Sequence, residues 1–181
     1  MDTTKVGQIQ NNERESITIR PLVKTDLRAL EWEGEYRHFR NLFNDLYEKI
    51  QTGISRAWVV VNEEDYMIGQ VFLQLRSDRL ELADGWNRAY LYSLRIRPEY
   101  RNIGIGGRML QLVDDFLVTG GFTRVTLNVA RDNLAAIRLY HRHGYKIVAE
   151  EPGIWSYPDD EGLWQTINEP SWRMEKILPI A

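Results

Sequence analysis

The chain has 181 residues, a length that suits one compact domain with its own hydrophobic core. Its 23 basic and 26 acidic residues give a formal net charge of -3, which excludes a global field that would attract nucleic acid or anionic lipid. There is no cysteine, which excludes disulfides, thiolate metal ligands and a cysteine nucleophile, and which fits a reducing cytosol.

The chain also lacks the sequence features of membrane insertion and export. No apolar run approaches the ~20 residues that a membrane-spanning helix needs, and the amino terminus, MDTTKVGQIQNNERES, has no apolar signal core. We therefore expect a cytoplasmic protein that binds neither nucleic acid nor membrane. Residues 1–15 are polar and are expected to form a flexible tail before a single domain over residues 16–181.

The first half of the predicted domain mixes strands and helices. Apolar and polar residues alternate from Ser16 to Leu22, which is typical of a half-buried strand. From Thr25 to about Thr52, apolar spacing predicts two helices that are separated at Gly34, with Thr25 as a cap. The runs AWVVV and YMIGQVFLQLR flank a short polar turn and predict a hairpin. Residues Ala89 to Arg97 are apolar on both faces, which predicts a central strand.

The second half alternates strand and helix. Apolar residues from Met109 to Leu117 recur at helical spacing, and Gly120 and Gly121 end that helix. RVTLNVA predicts a strand, and LAAIRLYHRH predicts a helix with Asn133 at its cap. YKIVAE and WRMEKIL predict two last strands, and the aromatic insert between them, residues 151–171, predicts a further hairpin. This order indicates an α/β domain with a mixed sheet.

A glycine-rich stretch, RIRPEYRNIGIGGRML, lies between a predicted strand and a predicted helix. That arrangement presents free backbone N–H groups to an anion, assisted by the positive end of the helix dipole. A Walker loop is excluded because Gly107 is followed by Arg108 and Met109 instead of Lys and Ser or Thr. A dinucleotide-binding loop needs a glycine where Met109 lies, which argues against a nucleotide-dependent oxidoreductase. A sharp turn whose glycines serve only geometry is the simplest alternative.

The same stretch resembles the signature of the GNAT superfamily of N-acetyltransferases, Arg/Gln-x-x-Gly-x-Gly/Ala after the fourth strand. Arg101, Gly104 and Gly106 match it position for position. The later run LNVARDNLAAIRLYHRHGYKIV is similar to the family's strand, helix and strand. The resemblance covers Ser16 to Glu150 in element order. It implies the family's acyl-CoA N-acyltransferase fold, a mixed, mostly antiparallel central sheet with flanking helices.

The resemblance implies acetyl-CoA as the cosubstrate and no metal. The pantetheine arm is expected to pair with the backbone of β-strand residues Leu94, Arg95 and Ile96. The pyrophosphate is expected on a loop that comprises Arg101, Asn102, Ile103, Gly104, Ile105, Gly106 and Gly107. Because seven residues are close to two helical turns, Asn133 and Tyr140 are expected on one helix face. The resemblance implies that Asn133 lies near pantetheine and Tyr140 near the sulfur.

Tyr140 is the candidate general acid, because its hydroxyl can donate a proton to the leaving thiolate. The alternative is an ordinary amphipathic core tyrosine. The general base is not identified, because Ser93 and Asn128 occupy the two positions where relatives carry a carboxylate. A water relay or an acid from another loop is expected to replace it, with four candidates: Glu33, Glu81, Glu150 and Glu151.

The sequence thus predicts an acetyl-CoA-dependent N-acetyltransferase that acts on a peptide or protein amino group or on a small-molecule amine, by direct attack. Similarity of residues 133–145 to ribosomal-protein N-terminal acetyltransferases favours peptides, although Asn128 departs from that group's acidic residue. The alternative is a non-catalytic acyl-CoA-sensing domain, which the missing carboxylates favour and Tyr140 disfavours.

Trp155 and Trp164 of the insert are expected to line an acceptor pocket, to form a homodimer contact, or to cover the end of the sheet.

Overall fold

The computed structural model describes residues 16–179, so the tail predicted at residues 1–15 lies outside the described part of the chain. Three α-helices are present in this part: α1 (Arg40–Gln51), α2 (Ile105–Thr119) and α3 (Leu134–Arg142). The strands are, in chain order, β1 (Thr18–Pro21), β2 (Ser55–Val61), β3 (Met67–Gln74), β4 (Arg88–Ile96), β5 (Arg124–Ala130), β6 (Lys146–Glu151), β7 (Ile154–Pro158), β8 (Trp164–Asn168) and β9 (Ser171–Ile177).

Seven of the strands form one mixed sheet in the order β1-β2-β3-β4-β5-β9-β6, and β7 and β8 form a separate hairpin. All neighbours in the large sheet are antiparallel except β4 and β5, which are parallel. β4 therefore lies at the centre of the sheet, which confirms its prediction as a central strand. The mixed, mostly antiparallel sheet is confirmed as well.

The sheet is covered by helices on both faces, because alternate residues of its strands are apolar in both directions. On β2, Trp58 and Val60 pack into the core beneath α2 and α3, whereas Val59 and Val61 pack into the core beneath α1. The α2 residues Met109, Val113 and Leu117 are each 0% exposed. No helix within residues 16–179 is both long and apolar enough to cross a membrane.

The prediction of a helix that begins at Thr25 is wrong. The chain forms three short 3-10 segments there, over Lys24–Asp26, Ala29–Gly34 and Arg37–Phe39. Thr25 does not cap the first of them; instead the Asp26 carboxylate accepts a hydrogen bond of 2.8 Å from the Val23 N–H.

A long-range contact explains why this segment does not form a regular helix. Trp32 and Glu33 have φ values of 46° and 57°, in the left-handed region that costs about 1–2 kcal/mol per residue. Trp32 is only 4% exposed, and its Nε1–H donates a 3.1 Å hydrogen bond to Oε1 of Gln70 on β3. Burying an indole releases free energy of the same order as the backbone cost, so tertiary contact overrides local helical spacing.

The hairpin predicted in the insert is confirmed as β7 and β8, which pair from Ile154 with Asn168 to Pro158 with Trp164. Its tip is held by hydrogen bonds to the 3-10 segment before α1 and to the first turn of α1. Arg37 Nε donates to Asp160 Oδ2 at 2.7 Å, and the Asn41 side-chain amide donates to the Asp159 carbonyl. The hairpin therefore lies over the α1 side of the sheet.

Candidate active site

β4 and β5 separate partway along their length. Their parallel pairing extends only over residues 88–91 of β4 and 124–127 of β5. β4 continues beside β3, but its register with β3 shifts between the partners of Gln70 and Phe72, which is a β-bulge. Within the bulge Ser93 has a φ of 50°, an uncommon conformation for a residue with a side chain. The bulge bends β4 away from β5 and opens the sheet.

A cleft of about 670 Å³ occupies this opening. One side of it, which we call the α3 wall, consists of Asn133, Ala136 and Tyr140. The opposite side contains residues from the segment before α1, from β4 and from the insert. We call it the hairpin wall, and its main members are Phe39, Tyr92, Arg95, Trp155 and Glu169.

The glycine loop lies at the amino terminus of α2. Gly104 precedes the helix with a φ of 90°, in the left-handed region that glycine adopts without strain. The first helical hydrogen bond runs from Arg108 N–H to the Gly104 carbonyl at 3.1 Å, so the N–H groups before Arg108 have no acceptor within the helix. The loop thus fits an anion.

Gly106 and Gly107 have a second role that the sequence did not indicate. A Cβ on Gly106 would lie 3.1 Å from Cδ2 of Leu139, and one on Gly107 would lie 3.0 Å from the His143 ring. Both neighbours belong to the α3 segment. The two glycines therefore permit α2 to pack closely against α3, in addition to leaving the loop backbone accessible.

The predicted cofactor residues fall into two groups. Leu94, Arg95, Asn133 and Tyr140 line the cleft, whereas the loop from Arg101 to Gly107 lies outside its lining. Ile96 also lies outside, and its side chain packs against the core beneath α2. Arg101 donates from Nε to the Ile96 carbonyl at 2.8 Å, which ties the loop to the end of β4. Asn133 caps α3, because its side chain accepts a 3.2 Å hydrogen bond from Ala136 N–H.

Tyr140 is buried at the cleft, with 7% of its surface exposed. Its ring packs edge-on against Tyr145 at a centroid distance of 5.6 Å. Burial raises the pKa of the Tyr140 hydroxyl well above its usual value, and the nearby Tyr90 adds to this effect. The hydroxyl is therefore a protonated donor at neutral pH.

Two further tyrosines of the cleft were not predicted as site residues. Tyr90 and Tyr92 stack with ring centroids 5.6 Å apart and an angle of 6° between their planes. Burial raises the pKa of Tyr90 to about 12. The signal in the sequence was their spacing of two on a strand, which places both rings on one face of β4.

The four glutamates considered as general bases are all held in ion pairs. Their partners are Arg97 for Glu33, Arg79 for Glu81, Arg131 for Glu150, and both Arg79 and Arg173 for Glu151. Of these four, only Glu151 lines the cleft, and it is 6% exposed. Both carboxylate oxygens of Glu151 accept hydrogen bonds from Arg79, at 2.8 and 3.0 Å, and one of them also accepts a 3.2 Å hydrogen bond from Arg173.

The two positions where relatives carry a carboxylate, Ser93 and Asn128, both line the cleft. Oδ1 of Asn128 is buried and has no hydrogen-bond partner among the described residues. It is thus an acceptor that a bound ligand can satisfy, but an amide does not take up a proton at neutral pH. Glu169 also lines the cleft, and no motif in the sequence indicated it.

The tryptophans of the insert have different environments. Trp155 lines the cleft and packs against Phe39 and Tyr157, whereas Trp164 is 73% exposed and lies outside the cleft lining. Of the three roles considered for these tryptophans, lining a pocket therefore fits Trp155 and not Trp164, because alternate residues of a hairpin point to opposite faces. Within residues 16–179 no group of three or more His, Cys, Asp or Glu side chains is arranged to hold a metal ion.

Comparison with known families decides what kind of protein has this cleft. The model of the acetyltransferase (GNAT) family matches residues 24–145. This chain belongs to the GNAT family. The match confirms the resemblance that the sequence carries at Arg101, Gly104 and Gly106.

One curated relative of this GNAT protein is the probable N-acetyltransferase camello of Xenopus tropicalis, which is 29% identical over 128 residues. The aligned part covers 66% of this chain and only 56% of that relative's length. The likeness therefore does not extend over the whole of the relative.

Solved structures with the same fold include N-acetyltransferases with different acceptors. The ribosomal-protein-S18-alanine N-acetyltransferase of Escherichia coli superposes with a TM-score of 0.67 at 22% identity, covering 92% of this chain and 96% of that one. NAA60 of Arabidopsis thaliana, in complex with a bisubstrate analogue, gives 0.69 at 22% identity, with coverages of 92% and 100%. Spermidine N-acetyltransferase of Vibrio cholerae, with CoA and spermine, gives 0.64 at 21% identity, with coverages of 89% and 95%. The predicted fold is confirmed.

Proposed function

We propose that this GNAT protein transfers the acetyl group of acetyl-CoA to the nitrogen of an amine acceptor by direct attack. In this reaction a C–N bond forms and the C–S bond of the thioester breaks, while the amine loses a proton and the departing thiolate gains one. The observation that carries the proposal is the opening between β4 and β5, which Tyr140 lines from one side and open β4 backbone from the other.

The residues around this opening fit acetyl-CoA, which supplies an activated thioester when bound. The N–H groups before Arg108 suit a pyrophosphate, because they have no acceptor within the helix. Beyond Leu91, β4 no longer pairs with β5, which leaves backbone at Leu94 and Arg95 for a pantetheine arm. Backbone N–H groups on the same strand polarise a carbonyl without a metal.

Tyr140 acts in this proposal as the general acid that protonates the leaving thiolate. Its raised pKa keeps the hydroxyl protonated at neutral pH. A serine hydroxyl and an asparagine amide do not take up the amine proton at neutral pH, and the oxygens of Glu151 are already occupied by hydrogen bonds from Arg79 and Arg173. We therefore propose that the acceptor amine loses its proton through water in the cleft.

The alternative, an acyl-CoA sensor without turnover, is supported by Ser93 and Asn128, which stand at the two positions where relatives carry a carboxylate. Thermal unfolding with saturating acetyl-CoA, and separately with NAD, tests the shared first step. A ligand at a hundred times its Kd adds about 2.7 kcal/mol to the free energy of unfolding. We expect a raised midpoint with acetyl-CoA alone, and no rise would overturn both the enzyme and the sensor.

Release of CoA from acetyl-CoA in the presence of a panel of amines then separates enzyme from sensor. A thiol-reactive dye suits this assay, because the chain has no cysteine and gives no protein background. CoA release that depends on an amine supports the enzyme. Stabilisation by acetyl-CoA without release for any amine supports the sensor.

We also propose a cytoplasmic location, which the cysteine-free composition supports.

A homodimer that forms through the hairpin stays a prediction. The exposed Trp164 is the residue whose substitution would change the oligomeric state if the hairpin mediates one.

A further inference from the structure

Arg95 brings into the cleft a cation that forms no salt bridge among the described residues. Its Nη1 atom is buried and has no hydrogen-bond partner among residues 16–179. Its guanidinium carbon lies 4.2 Å from the ring centroid of Tyr36 and 5.4 Å from that of Phe39. The guanidinium is thus held in place by two aromatic faces, and its hydrogen-bond donors are not satisfied by the protein.

The other basic side chains of the cleft differ from Arg95 in this respect. Lys49 pairs with Asp45 at 2.6 Å, both on α1. Arg79 pairs with Glu81 and with Glu151, each at 2.8 Å. These charges are neutralised by the protein itself, so they do not call for an anionic ligand.

The groups around Arg95 do not compensate fully for the loss of hydration of its buried charge. Burial lowers the pKa of Arg95, and the negative charges of Glu35 and Glu169 oppose this. An arginine nevertheless stays charged in proteins. Cation–π contacts stabilise the charge but accept no hydrogen bond from the guanidinium N–H groups. Buried donors without acceptors are costly, and a carboxylate matches the planar guanidinium donors.

The bulge at Ser93 turns Arg95 into the hairpin wall. Before the bulge, Leu91 packs beneath α2 while Tyr92 faces Phe72 on the α1 side. After it, Leu94 packs on the α2 side and Arg95 faces Tyr36 on the α1 side. Strict alternation from Tyr92 would have turned Arg95 the other way. The strained backbone thus brings this charge to the side of the cleft that is opposite Tyr140.

We propose that Arg95 binds a carboxylate of the acceptor, so that the substrate is an amine that also carries a carboxylate, such as a free amino acid, and not a polyamine. This inference rests on the proposed acetyltransferase function. Glu169 lines the same cleft and supplies a negative charge for the ammonium form of such a zwitterion. Phe39 and Trp155 provide apolar surface for its side chain.

The test compares acceptors that differ only in the carboxylate, first L-phenylalanine with 2-phenylethylamine and then ω-amino acids with alkylamines of equal length. A charge-assisted hydrogen bond in the cleft predicts a kcat/KM about 10- to 100-fold higher for the carboxylated member. Spermidine is expected to be a poor acceptor. Equal use of both members of each pair, or preference for the plain amine, overturns the proposal.

Arg95→Met keeps the length of the side chain and removes its charge and donors. We expect this variant to lose the preference through a higher KM for L-phenylalanine, with the KM for 2-phenylethylamine unchanged. Arg95→Lys, which keeps the charge without the planar donors, is expected to be intermediate. Lys49→Met is the matched control, because that cleft cation already has an acid partner, and it should keep the preference.

A binding measurement tests the preference for a carboxylate even if no acceptor is acetylated. In the presence of CoA, N-acetylphenylalanine should raise the unfolding midpoint of the wild type more than N-acetyl-2-phenylethylamine does, and Arg95→Met should abolish the difference. Equal effects of the two products in the wild type overturn the proposal. If Arg95→Met does not fold, Arg95→Gln provides the same comparison. A loss of the midpoint shift with acetyl-CoA itself would instead indicate failure of the proposed function.

Discussion

The two walls of the cleft are assembled over very different distances along the chain. The α3 wall and the glycine loop come from one continuous stretch, residues 101–140, in which helix packing depends on neighbours such as Gly106 and Leu139. The hairpin wall joins residues from opposite ends of the domain, and the ion pair that fastens it, Arg37 with Asp160, spans 123 positions. A short motif therefore identifies the first wall but not the second.

The backbone elements proposed for acetyl-CoA and the hairpin wall differ in the kind of group they offer. The glycine loop and the open edge of β4 offer backbone N–H groups, whose position depends on fold geometry. The hairpin wall offers side chains, such as the rings of Phe39 and Trp155 and the charge of Arg95. On the function proposed here, a change of acceptor would involve the side chains of the hairpin wall, whereas the backbone groups proposed for acetyl-CoA would stay the same.

The largest expected effect is on the α3 wall. Tyr140→Phe removes one hydroxyl and leaves the packing of the ring, so we expect kcat to fall about 100-fold, as for loss of a general acid. The midpoint shift with acetyl-CoA should remain. Steady-state kinetics with the best acceptor measures this change.

Tyr145→Phe is the matched control for Tyr140→Phe. Tyr145 is 1% exposed, and its hydroxyl is buried without a hydrogen-bond partner in the described part of the chain. Its removal should leave kcat unchanged and leave the free energy of unfolding unchanged or slightly raised. If the two variants lose activity equally, Tyr140 acts through packing and is not the acid.

An intermediate effect is expected at the glycine loop. Gly104→Ala places a Cβ in open space but in a left-handed conformation, with φ at 90°, which costs about 1–2 kcal/mol. Relief of this strain turns the loop N–H groups, and we expect the Kd for acetyl-CoA to rise about tenfold, a change of ~1.4 kcal/mol. Calorimetric titration measures the affinity.

Gly121→Ala separates the effect on the loop from a general loss of stability. Gly121 follows the other end of α2, has a φ of 80° and also has open space around a Cβ. It should lower the free energy of unfolding by a similar amount and leave the affinity for acetyl-CoA intact. Unchanged affinity in both variants would remove the loop from the acetyl-CoA site.

The smallest effect is expected at the tip of the hairpin. Asp160→Asn breaks the pair with Arg37, whose side chain is 60% exposed, so the free energy of unfolding should fall by at most about 1 kcal/mol. The acceptor KM should rise a few-fold because the hairpin wall becomes more mobile, with the KM for acetyl-CoA unchanged.

Asp65→Asn is the control, since its exposed pair with Arg20 lies away from the cleft. A KM change of the same size in both variants would show that the hairpin tip has no special role.

The same division governs what the sequence could predict. The strand from Arg124 to Ala130 and the helix that Asn133 caps follow from local spacing and capping, and both form as predicted. The helix expected after Thr25 fails, because Trp32 is drawn to Gln70, 38 positions away. Local propensity is decisive only where no distant partner competes with it.

Prediction of the site is limited in the same way. Tyr140 and Leu94 line the cleft, as their positions in the motifs imply. The side-chain environment of Arg95 depends instead on a β-bulge at Ser93, which the residue types around it do not predict. The ion pairs of Glu151 likewise join β6 to residues 22 and 72 positions away. The sequence therefore could not show which acids form ion pairs with distant arginines.

The β7 and β8 hairpin is a structural unit separate from the main sheet. Its two strands pair with each other and contribute no ladder to the seven-stranded sheet in residues 16–179. At its base Gly153 passes so close to the Glu169 carbonyl that any side chain would collide, which makes this crossing the natural boundary of the unit. We therefore expect that residues 154–168 can be replaced without loss of any hydrogen bond of the main sheet, and that such a replacement changes the part of the cleft that Trp155 lines.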